Sequence, residues 1–391
     1  MVRTASLFSQ LLSEIPRSRF ARLVAKHGTE RHAKGFTSWT HLTAMLFCQA
    51  AQLDSLRETC LGLACCLGKL VHLGVSRSPN KSSLSYANAH RSAALFEDTF
   101  WMMANRFRAQ GALGGRRHKF KFNNKLLSLD STTISLCLSL FPWASFRRSK
   151  GGVKVHTVLD HDDYMPSYVL ISEAREHDAK VLPTLRVNPG SIVLMDRAYN
   201  DYGQFGRWTE AGVFFVTRMK SDAAYEVVET RRVPLHRNIV SDEEVELTGP
   251  LARERCPHRL RRVVVWDEKN AREIVVLSNH LGFGATTLAD LYKERWAIEV
   301  FFKTLKQNLR VKTFLGTTEN ALRIQIWSAL IALLLIKWLH YLSKAGWSLS
   351  NLATMVRLNL FTYRDLGEWL NDPLHTPPIE PPPEQMELNL R

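Results

Sequence analysis

The sequence predicts a multidomain α/β protein in which an all-helical N-terminal domain precedes a mixed sheet with a β-rich insertion. Three observations support this prediction. Residues 1–115 repeat apolar side chains at helical spacing, residues 120–223 contain short apolar runs typical of strands, and residues 224–284 alternate charged and apolar side chains. At roughly 150 residues per domain, a chain of 391 residues is expected to form two or three domains.

The N-terminal region is predicted to be a basic helical domain. Leu7, Leu11 and Ile15 recur at helical spacing, and a single long helix is expected over residues 83–108. A basic helical block matches a DNA-docking domain, although an ordinary helical bundle explains each helix equally well. The sequence does not single out a recognition helix.

The central region, residues 120–223, is predicted to form a sheet in the order β-β-β-α-β-α-β. Strands at about 125–136, 153–159 and 167–172 suggest an antiparallel meander, and Asp178 is predicted to cap a helix ending at Leu185. The fully apolar strand before Asp196, a helix at about 201–211 and another apolar strand at 213–217 indicate a parallel portion that is buried on both faces. Residues 224–284 are then interpreted as an inserted β-subdomain.

The C-terminal part is predicted to be helical. Residues 285–345 would complete the core with one long helix at about 287–310 and a buried helix at 322–342. The most apolar stretch, residues 326–336, falls short of the roughly 20 residues that cross a bilayer, so we interpret it as a core helix. Residues 346–391 are expected to form short helices and a proline-rich tail.

Composition points to a polyanionic partner. The chain has 52 Lys and Arg against 37 Asp and Glu, a net charge of +15, which favours nucleic acid over an anionic membrane. Its six cysteines form no C-x-x-C pair, and the first residues lack the features of a signal peptide. We therefore expect buried thiols in a cytoplasmic protein, without a disulfide framework or a zinc site.

The most informative motif is a polar stripe on the predicted helix at 287–310. Tyr292, Arg295, Glu299 and Lys306 fall within about 60° of one another around a helix, along the edge of an apolar face. One carboxylate flanked by two cations and a phenol suits a metal-bound phosphate. The alternative is an amphipathic helix with an i,i+4 pair between Arg295 and Glu299.

Three carboxylates are candidate metal ligands. Asp130 lies in the first predicted strand, Asp196 ends an apolar strand, and Glu299 belongs to the helical stripe. Phosphodiester chemistry commonly uses two divalent cations about 3.5–4 Å apart, and hard cations prefer carboxylate oxygens. The alternatives are that Asp130 accepts hydrogen bonds from nearby hydroxyls and that Asp196 caps a helix.

Two other clusters have simpler explanations. His156, Asp160, His161, Asp162 and Asp163 offer metal-ligating groups, but a charged turn between strands explains them better. His177 fits a helix start, with a location near the active centre as the alternative. The sequence contains neither a Walker-type phosphate loop nor a serine nucleophile elbow.

These residues resemble a known family. Tyr292, Arg295, Glu299 and Lys306 fit the signature Y-x2-R-x3-E-x6-K, and the segments around Asp130 and Asp196 look like two aspartate boxes. The chain is thus similar, over about residues 30–345, to DDE transposases of bacterial insertion sequences of the insertion-sequence-four type. The resemblance implies a ribonuclease-H-like core interrupted by a β-rich insertion.

The resemblance also implies an activity and its cofactors. Asp130, Asp196 and Glu299 would bind two Mg²⁺ or Mn²⁺ ions, which drive cleavage at the terminal inverted repeats of the element. The freed 3′-hydroxyl would then attack target DNA. A ribonuclease-H-like nuclease without strand transfer, or a non-catalytic regulator derived from a transposase, are the alternatives.

The expected partners are double-stranded DNA and a second copy of the chain in a synaptic complex, with no membrane. The family's DNA contacts map onto the residues that share the helical stripe, namely Tyr292, Arg295 and Lys306. Lys154 and His156 are further candidates for phosphate contacts. Trp296 or Trp266 could stack on an extruded base, although tryptophan also fills cores.

Overall fold

The computed structural model contains two compact units. They comprise Met1–Leu113 with Thr304–Arg391, and Gly114–Lys303. The structure describes residues 5–31, 33, 35–66, 70–111, 120–136, 141, 143, 145–147, 150–234, 238–309 and 315–379. The end of the predicted proline-rich tail, from residue 380 onward, lies outside the described residues.

The first unit is helical, as predicted for the N-terminal region. Side chains of Ser6, Thr37, Ser55 and Asn80 each accept a hydrogen bond from the first turn of the helix that they precede, which fixes where these helices begin. The helices are α1 (Leu7–Ser13), α2 (Arg17–His27), α3 (Ser38–Ala51), α4 (Leu56–Ala64), α5 (Lys81–His90), α6 (Ala94–Ala109), α11 (Glu319–Leu342), α12 (Leu349–Leu358) and α13 (Leu366–Asn371).

The single helix predicted over residues 83–108 is wrong, because the chain breaks into α5 and α6. Arg91 leaves the helical conformation with φ −76° and ψ 137°. Its guanidinium donates a hydrogen bond to the carbonyl oxygen of Thr37 at 2.9 Å. This contact holds the break against the start of α3, which apolar periodicity alone does not reveal.

Helix α11 packs within the first unit. It contacts α3, α5 and α6, and its Trp327 lies 5.6 Å from the Phe100 ring. The helix is long and apolar enough to cross a membrane, but 89% of its apolar window is buried, in agreement with the predicted core helix. The sequence division had instead grouped this helix with the catalytic core.

The second unit is built on one ten-stranded sheet. Its order is β2-β3-β1-β5-β6-β10-β9-β8-β7, and β4 pairs with β3 beside this path. The strands are β1 (Leu126–Leu136), β2 (Ser145–Arg147), β3 (Lys150–Asp160), β4 (Met165–Glu173), β5 (Ile192–Met195), β6 (Phe214–Arg218), β7 (Tyr225–Thr230), β8 (Ile239–Leu247), β9 (Leu260–Asp267) and β10 (Arg272–Ser278).

The predicted meander and the predicted parallel portion are both present. β3 pairs antiparallel with β1 and with β4, whereas β5 runs parallel to β1 and to β6. Helix α7 (Tyr202–Glu210) connects β5 to β6, and α8 (Pro250–Arg255) lies between β8 and β9. The predicted helix after Asp178 is instead a short 3-10 helix, Asp178–Thr184.

The predicted β-rich insertion does not form a separate sheet. β10 pairs antiparallel with β6, with Val276 opposite Arg218, so the inserted strands extend the core sheet. The described strands of the second unit therefore share one hydrogen-bonded ladder. The alternation of charged and apolar residues predicted these strands correctly. It did not indicate that they would pair with β6 of the core sheet.

Both faces of the parallel strands are covered by helices. Val193 and Met195 of β5 pack in one cluster with Phe205 of α7, whereas Ile192 and Leu194 pack in another. Helix α9 (Ala285–Glu294) supplies the second cluster through its buried apolar residues, Ala285, Leu288, Ala289 and Leu291. Burial on both faces explains why β5 is apolar at every position.

The predicted single helix over residues 287–310 is interrupted at Arg295. α9 ends at Glu294 and α10 (Trp296–Asn308) begins directly afterwards. The amides of Arg295 and Ile298 both bond to carbonyls three residues earlier, at 3.3 Å. Because the backbone is tightened here, Tyr292, Arg295 and Glu299 depart from the ideal angles of a continuous α-helix. The polar stripe predicted from the sequence therefore holds only approximately.

Candidate active site

Strand register places two of the predicted acids side by side. β1 and β5 run parallel with Leu129 opposite Met195, so the residues that follow, Asp130 and Asp196, are neighbours at the carboxyl end of β5. Ligands gather at such edges of parallel sheets. Asp196 also accepts a hydrogen bond from the Arg197 amide at 2.7 Å, so the alternative role as a helix cap is present as well.

Asp130 is held in a largely buried, acidic environment. Its side chain is 21% exposed, and Oδ1 accepts a hydrogen bond from the Ser131 amide at 2.8 Å. Burial raises the pKa of Asp130 to about 6, and the negative charges of Glu299 and Asp196 add to this effect. The Ser131 amide and Arg295 oppose the increase in pKa. Both other predicted acids therefore act on Asp130.

Arg295 links two of these acids. Its Nη1 lies 3.6 Å from Oδ2 of Asp130, and its Nη2 donates to Oε1 of Glu299 at 2.7 Å. The predicted i,i+4 pair is thus present. Burial alone would lower the pKa of Arg295, but Tyr292, Glu299 and Asp130 outweigh it and the pKa is raised. Two of the three carboxylates, Asp130 and Glu299, thus share one bridging guanidinium.

The donor chemistry of this site fits divalent cations. Asp196 and Glu299 both lie within electrostatic range of Asp130, which gives three hard oxygen-donating side chains at one sheet edge, and the Nε of Arg295 is buried without a hydrogen-bond partner. Carboxylate oxygens are ligands that Mg²⁺ prefers, and here the carboxylates outnumber the arginine that contacts them. Among the residues that the structure describes, no three acidic, histidine or cysteine side chains already form a metal-holding group. Arg295 lies between Asp130 and Glu299, where it balances part of their charge.

Arg218 is a site residue that the sequence interpretation missed. β6 runs parallel to β5 with Val216 opposite Leu194, so Arg218 ends its strand in line with Asp196. Its charge acts on the Tyr292 hydroxyl, whose pKa is raised mainly by burial. The rule that selected Asp196, a polar residue ending an apolar parallel strand, would also have selected Arg218.

His156 is buried within the sheet and makes no exposed surface available to a phosphate. It is 0% exposed, and its ring nitrogens lie 3.2 Å from the Tyr199 hydroxyl and 3.0 Å from the Ser172 hydroxyl. Burial lowers the pKa of His156 to about 4. The predicted phosphate contact of His156 is therefore not compatible with this arrangement. The strand is buried on both faces here, since Val155 and Thr157 are each 1% exposed, and the sequence alone left this undecided.

Asp178 connects the elements behind Asp130. It accepts a hydrogen bond from the Ser131 hydroxyl at 3.0 Å and pairs with the Lys154 ammonium at 3.1 Å. The sequence assigned Asp178 to a helix cap, but the structure gives that role to His177. Lys154 is thereby engaged within the unit rather than projecting freely.

The remaining predicted DNA contacts lie on α9 and α10. The Tyr292 ring is 5.7 Å from the Arg295 guanidinium, and Trp296 is 61% exposed at the start of α10. An exposed tryptophan is not core filler, so that alternative is excluded for Trp296. Trp266 on β9 is also exposed. Lys306 follows Glu299 by seven residues on α10, beyond the end of the second unit.

The turn between β3 and β4 has the structural role that we favoured. His161 is buried and bonds the Ser128 hydroxyl at 2.7 Å, and Asp160 pairs with Lys125 at 2.7 Å. Asp160 Oδ1 also accepts a hydrogen bond from the Asp162 amide.

The five described cysteines, at positions 48, 60, 65, 66 and 256, are all free thiols.

Comparison with known proteins identifies the family of this chain. The family described as Transposase DDE domain matches residues 122–335, more than half of the chain. The chain belongs to the DDE transposases. This family catalyses DNA cleavage and strand transfer, so the expected enzyme class is confirmed. Its domain implies a ribonuclease-H-like fold, which agrees with the mixed α/β architecture predicted from the sequence. A family described as a domain of unknown function (DUF4372) matches residues 3–76 of the transposase.

Several curated relatives of this chain are also described as transposases. The transposase is 32% identical over 308 residues to a putative transposase, y4zB, of Sinorhizobium fredii, covering 78% of this chain and 83% of the relative. It is 34% identical over 225 residues to a probable transposase for insertion sequence element IS5377 of Geobacillus stearothermophilus, covering 57% and 59%. A putative transposase for IS4SA of Synechocystis is 25% identical over 274 residues, covering 68% and 73%.

Proposed function

We propose that this transposase cleaves DNA at the terminal inverted repeats of an insertion sequence and transfers the freed 3′-hydroxyl into target DNA. The observation that carries the proposal is the pairing of Asp130 with Asp196 across parallel strands, within electrostatic range of Glu299. A carboxyl group whose pKa is raised by burial and by neighbouring carboxylates, as for Asp130, is expected where cations are bound. The insertion-sequence-four subtype is part of this proposal and rests on the residue signature.

In this proposal Asp130, Asp196 and Glu299 hold two Mg²⁺ or Mn²⁺ ions. Such ions supply an activated oxygen nucleophile and stabilise the leaving oxygen of an in-line displacement. The protein residues position the acids. The Ser131 amide orients Asp130, the Arg197 amide orients Asp196, and Arg295 holds Glu299 through a bond of 2.7 Å. Arg295 also lies 3.6 Å from Asp130, where it would offset part of the negative charge of these ligands.

The DNA contacts that we propose surround these acids in the sequence and on the sheet edge. Tyr292, Arg295 and Lys306 retain their predicted roles, and Arg218 joins them because it ends the strand beside Asp196. Trp296 offers an exposed aromatic face, on which an unpaired base would stack. Lys154 reaches a phosphate only if its pair with Asp178 opens, and His156 supports the site from behind.

Because transposition joins two ends of one element, we propose that a homodimer forms in the synaptic complex. The two alternatives predict different products. A nuclease would cleave without joining, and a non-catalytic regulator would bind without cleaving.

The decisive experiment uses the full chain with DNA duplexes that carry the sequences flanking its gene. Incubation with Mg²⁺ or Mn²⁺ and a supercoiled target plasmid, followed by denaturing gels, should show both cleaved strands and joined products. Short inverted repeats within a direct target duplication should flank the gene. Cleavage without joined product would overturn strand transfer, and binding without cleavage would overturn the proposed catalysis.

A further inference from the structure

Helix α2 (Arg17–His27) differs from the other long helices of the first unit. Only one of its eleven residues, Phe20, is buried, and it contains no acidic residue. In α3, by contrast, twelve residues from Ser38 to Gln49 are buried. A helix that contributes so little to the core, yet carries several cations, presents most of its surface to a partner or to solvent.

Three cations of α2 share one side of the helix. Arg19, Arg22 and Lys26 fall within about 60° of one another at 100° per residue, away from Phe20. Lys26 and His27 both bind the Asp98 carboxylate of α6, at 2.6 and 2.8 Å, which anchors the helix. Arg19 and Arg22 are exposed, and neither forms an ion pair within the described residues. Arg19 and Arg22 thus carry charge that no acid among the described residues compensates.

A groove of about 460 Å³ runs beside this helix and extends the basic surface. Arg17 and Arg31 line it, and the Arg17 guanidinium stacks 3.6 Å from the Trp39 ring centroid. Glu30 is the acid in this lining, and its carboxylate accepts a hydrogen bond from the Ser38 amide. Small residues of the lining, Ala21, Ala25 and Gly28, leave room for close approach.

We propose that α2 and this groove bind the phosphate backbone of duplex DNA, with Arg19 and Arg22 as direct phosphate contacts. The inference rests on the proposed function and assigns a role to the domain of unknown function that matches residues 3–76. Arginines suit phosphate recognition because their planar donors pair with its oxygens. A membrane is the less suitable partner, because α2 exposes no large apolar side chain that would enter lipid.

The test compares two pairs of substitutions in the full chain. Arg19→Ala/Arg22→Ala removes the proposed contacts, and Arg57→Ala/Lys81→Ala removes two other exposed cations of the same unit that form no ion pair within the described residues. The probe is a duplex carrying the flanking sequence of the gene, and affinity is measured by fluorescence anisotropy over a range of salt concentrations. Arg19→Lys/Arg22→Lys keeps the charge and serves as the rescue variant.

The first pair should weaken binding about tenfold or more and reduce the slope of log K against log salt by about 1.8, which corresponds to two phosphates. The control pair should leave this slope within about 0.5 of wild type, and the lysine pair should restore most of it. Equal losses in both alanine pairs would show a general charge effect and overturn the assignment to α2. So would an unchanged slope in the first pair.

The two proposals fail in different ways. If α2 is not the binding surface, wild type and Arg19→Ala/Arg22→Ala cleave end DNA and bind it alike. If the catalytic proposal is wrong, wild type fails to cleave in Mg²⁺ or Mn²⁺ even though α2 variants still alter binding. Binding of the wild type to anionic vesicles, without binding to the duplex, would identify the membrane as the partner and overturn the inference.

Discussion

Two arginine–carboxylate clusters of the second unit differ in how their charges are arranged. In the β8–β9 part, Arg261 and Asp242 are each 3% exposed and form a two-point pair, with one nitrogen–oxygen distance of 2.6 Å. Arg261 also donates to the Leu281 carbonyl at 2.8 Å. In the β1–β5 part, one arginine bridges Asp130 and Glu299, with Asp196 nearby.

The difference lies in whether the charges are balanced. The Asp242–Arg261 pair has one carboxylate for one guanidinium, and each side chain satisfies the other. The three-acid cluster has more carboxylates than cations, a buried Arg295 Nε without a partner and an Asp130 whose pKa is raised to about 6. A balanced buried pair is expected to stabilise its surroundings once it is formed, whereas an unbalanced cluster is suited to bind added cations.

The largest expected effect follows from removing one acid of the unbalanced cluster. Asp130→Asn, Asp196→Asn or Glu299→Gln should abolish strand cleavage, because each change removes an anionic ligand. Binding to end DNA should remain largely intact. Cleavage gels and anisotropy on the same preparations measure both quantities. Retained nicking in Mg²⁺ by any one variant would refute the ligand role of that residue.

The two clusters should also respond oppositely in stability. Asp242→Ala leaves Arg261 buried without its carboxylate and should lower the free energy of unfolding by about 3–5 kcal/mol. Asp130→Asn should instead raise it slightly. Urea denaturation of metal-free protein in a chelator measures both changes. A large loss of stability in Asp130→Asn would show that the acid cluster has a structural role.

The stability gain of Asp130→Asn should depend on pH. The pKa of Asp130 is raised from 3.8 to about 6 in the folded protein, so the folded state binds this proton more tightly than the unfolded chain does. The wild type therefore loses stability from this group as pH rises between about 4 and 6, and the amide variant does not. The gain should accordingly be larger at pH 8 than at pH 5. Equal gains at both pH values would contradict this pKa.

An intermediate effect is expected from Asp178, which holds the Ser131 hydroxyl and Lys154 behind the cluster. Asp178→Asn should reduce cleavage about 10- to 100-fold, the range for residues that orient a metal ligand, with DNA affinity unchanged. Asp201→Asn is the matched control, because Asp201 caps α7 and asparagine caps equally well. Similar rates for both variants would exclude a positioning role for Asp178.

The smallest expected effects concern the cations of the helical stripe. Arg295→Ala and Lys306→Ala should each reduce the salt slope of DNA binding by about 0.9, which corresponds to one lost phosphate contact. Arg272→Ala provides the control, because it removes an exposed cation of β10 that pairs with Asp267 of β9. A slope that matches the control for either variant would exclude a direct phosphate contact at that residue.

The sequence alone indicated the three acids of the candidate site and much of the core. A strand that is apolar at every position is expected to be buried on both faces, as in a parallel sheet. The parallel pair β5–β6 was therefore predictable, as was the acid that follows β5. The signature around Arg295 and Glu299 was equally local, since those two residues pair within two helical turns. The helical character of the N-terminal region followed from periodicity in the same way.

Only the tertiary structure decided which residues face one another. Register places Asp130 beside Asp196, adds Arg218 to the same edge and turns His156 into the interior. It also joins the β-rich segment to β6. These outcomes depend on hydrogen bonds between segments far apart in the chain, and local apolar patterns carry no information about such partners. The basic stripe of α2 was likewise visible only once burial showed which of its faces the core leaves uncovered.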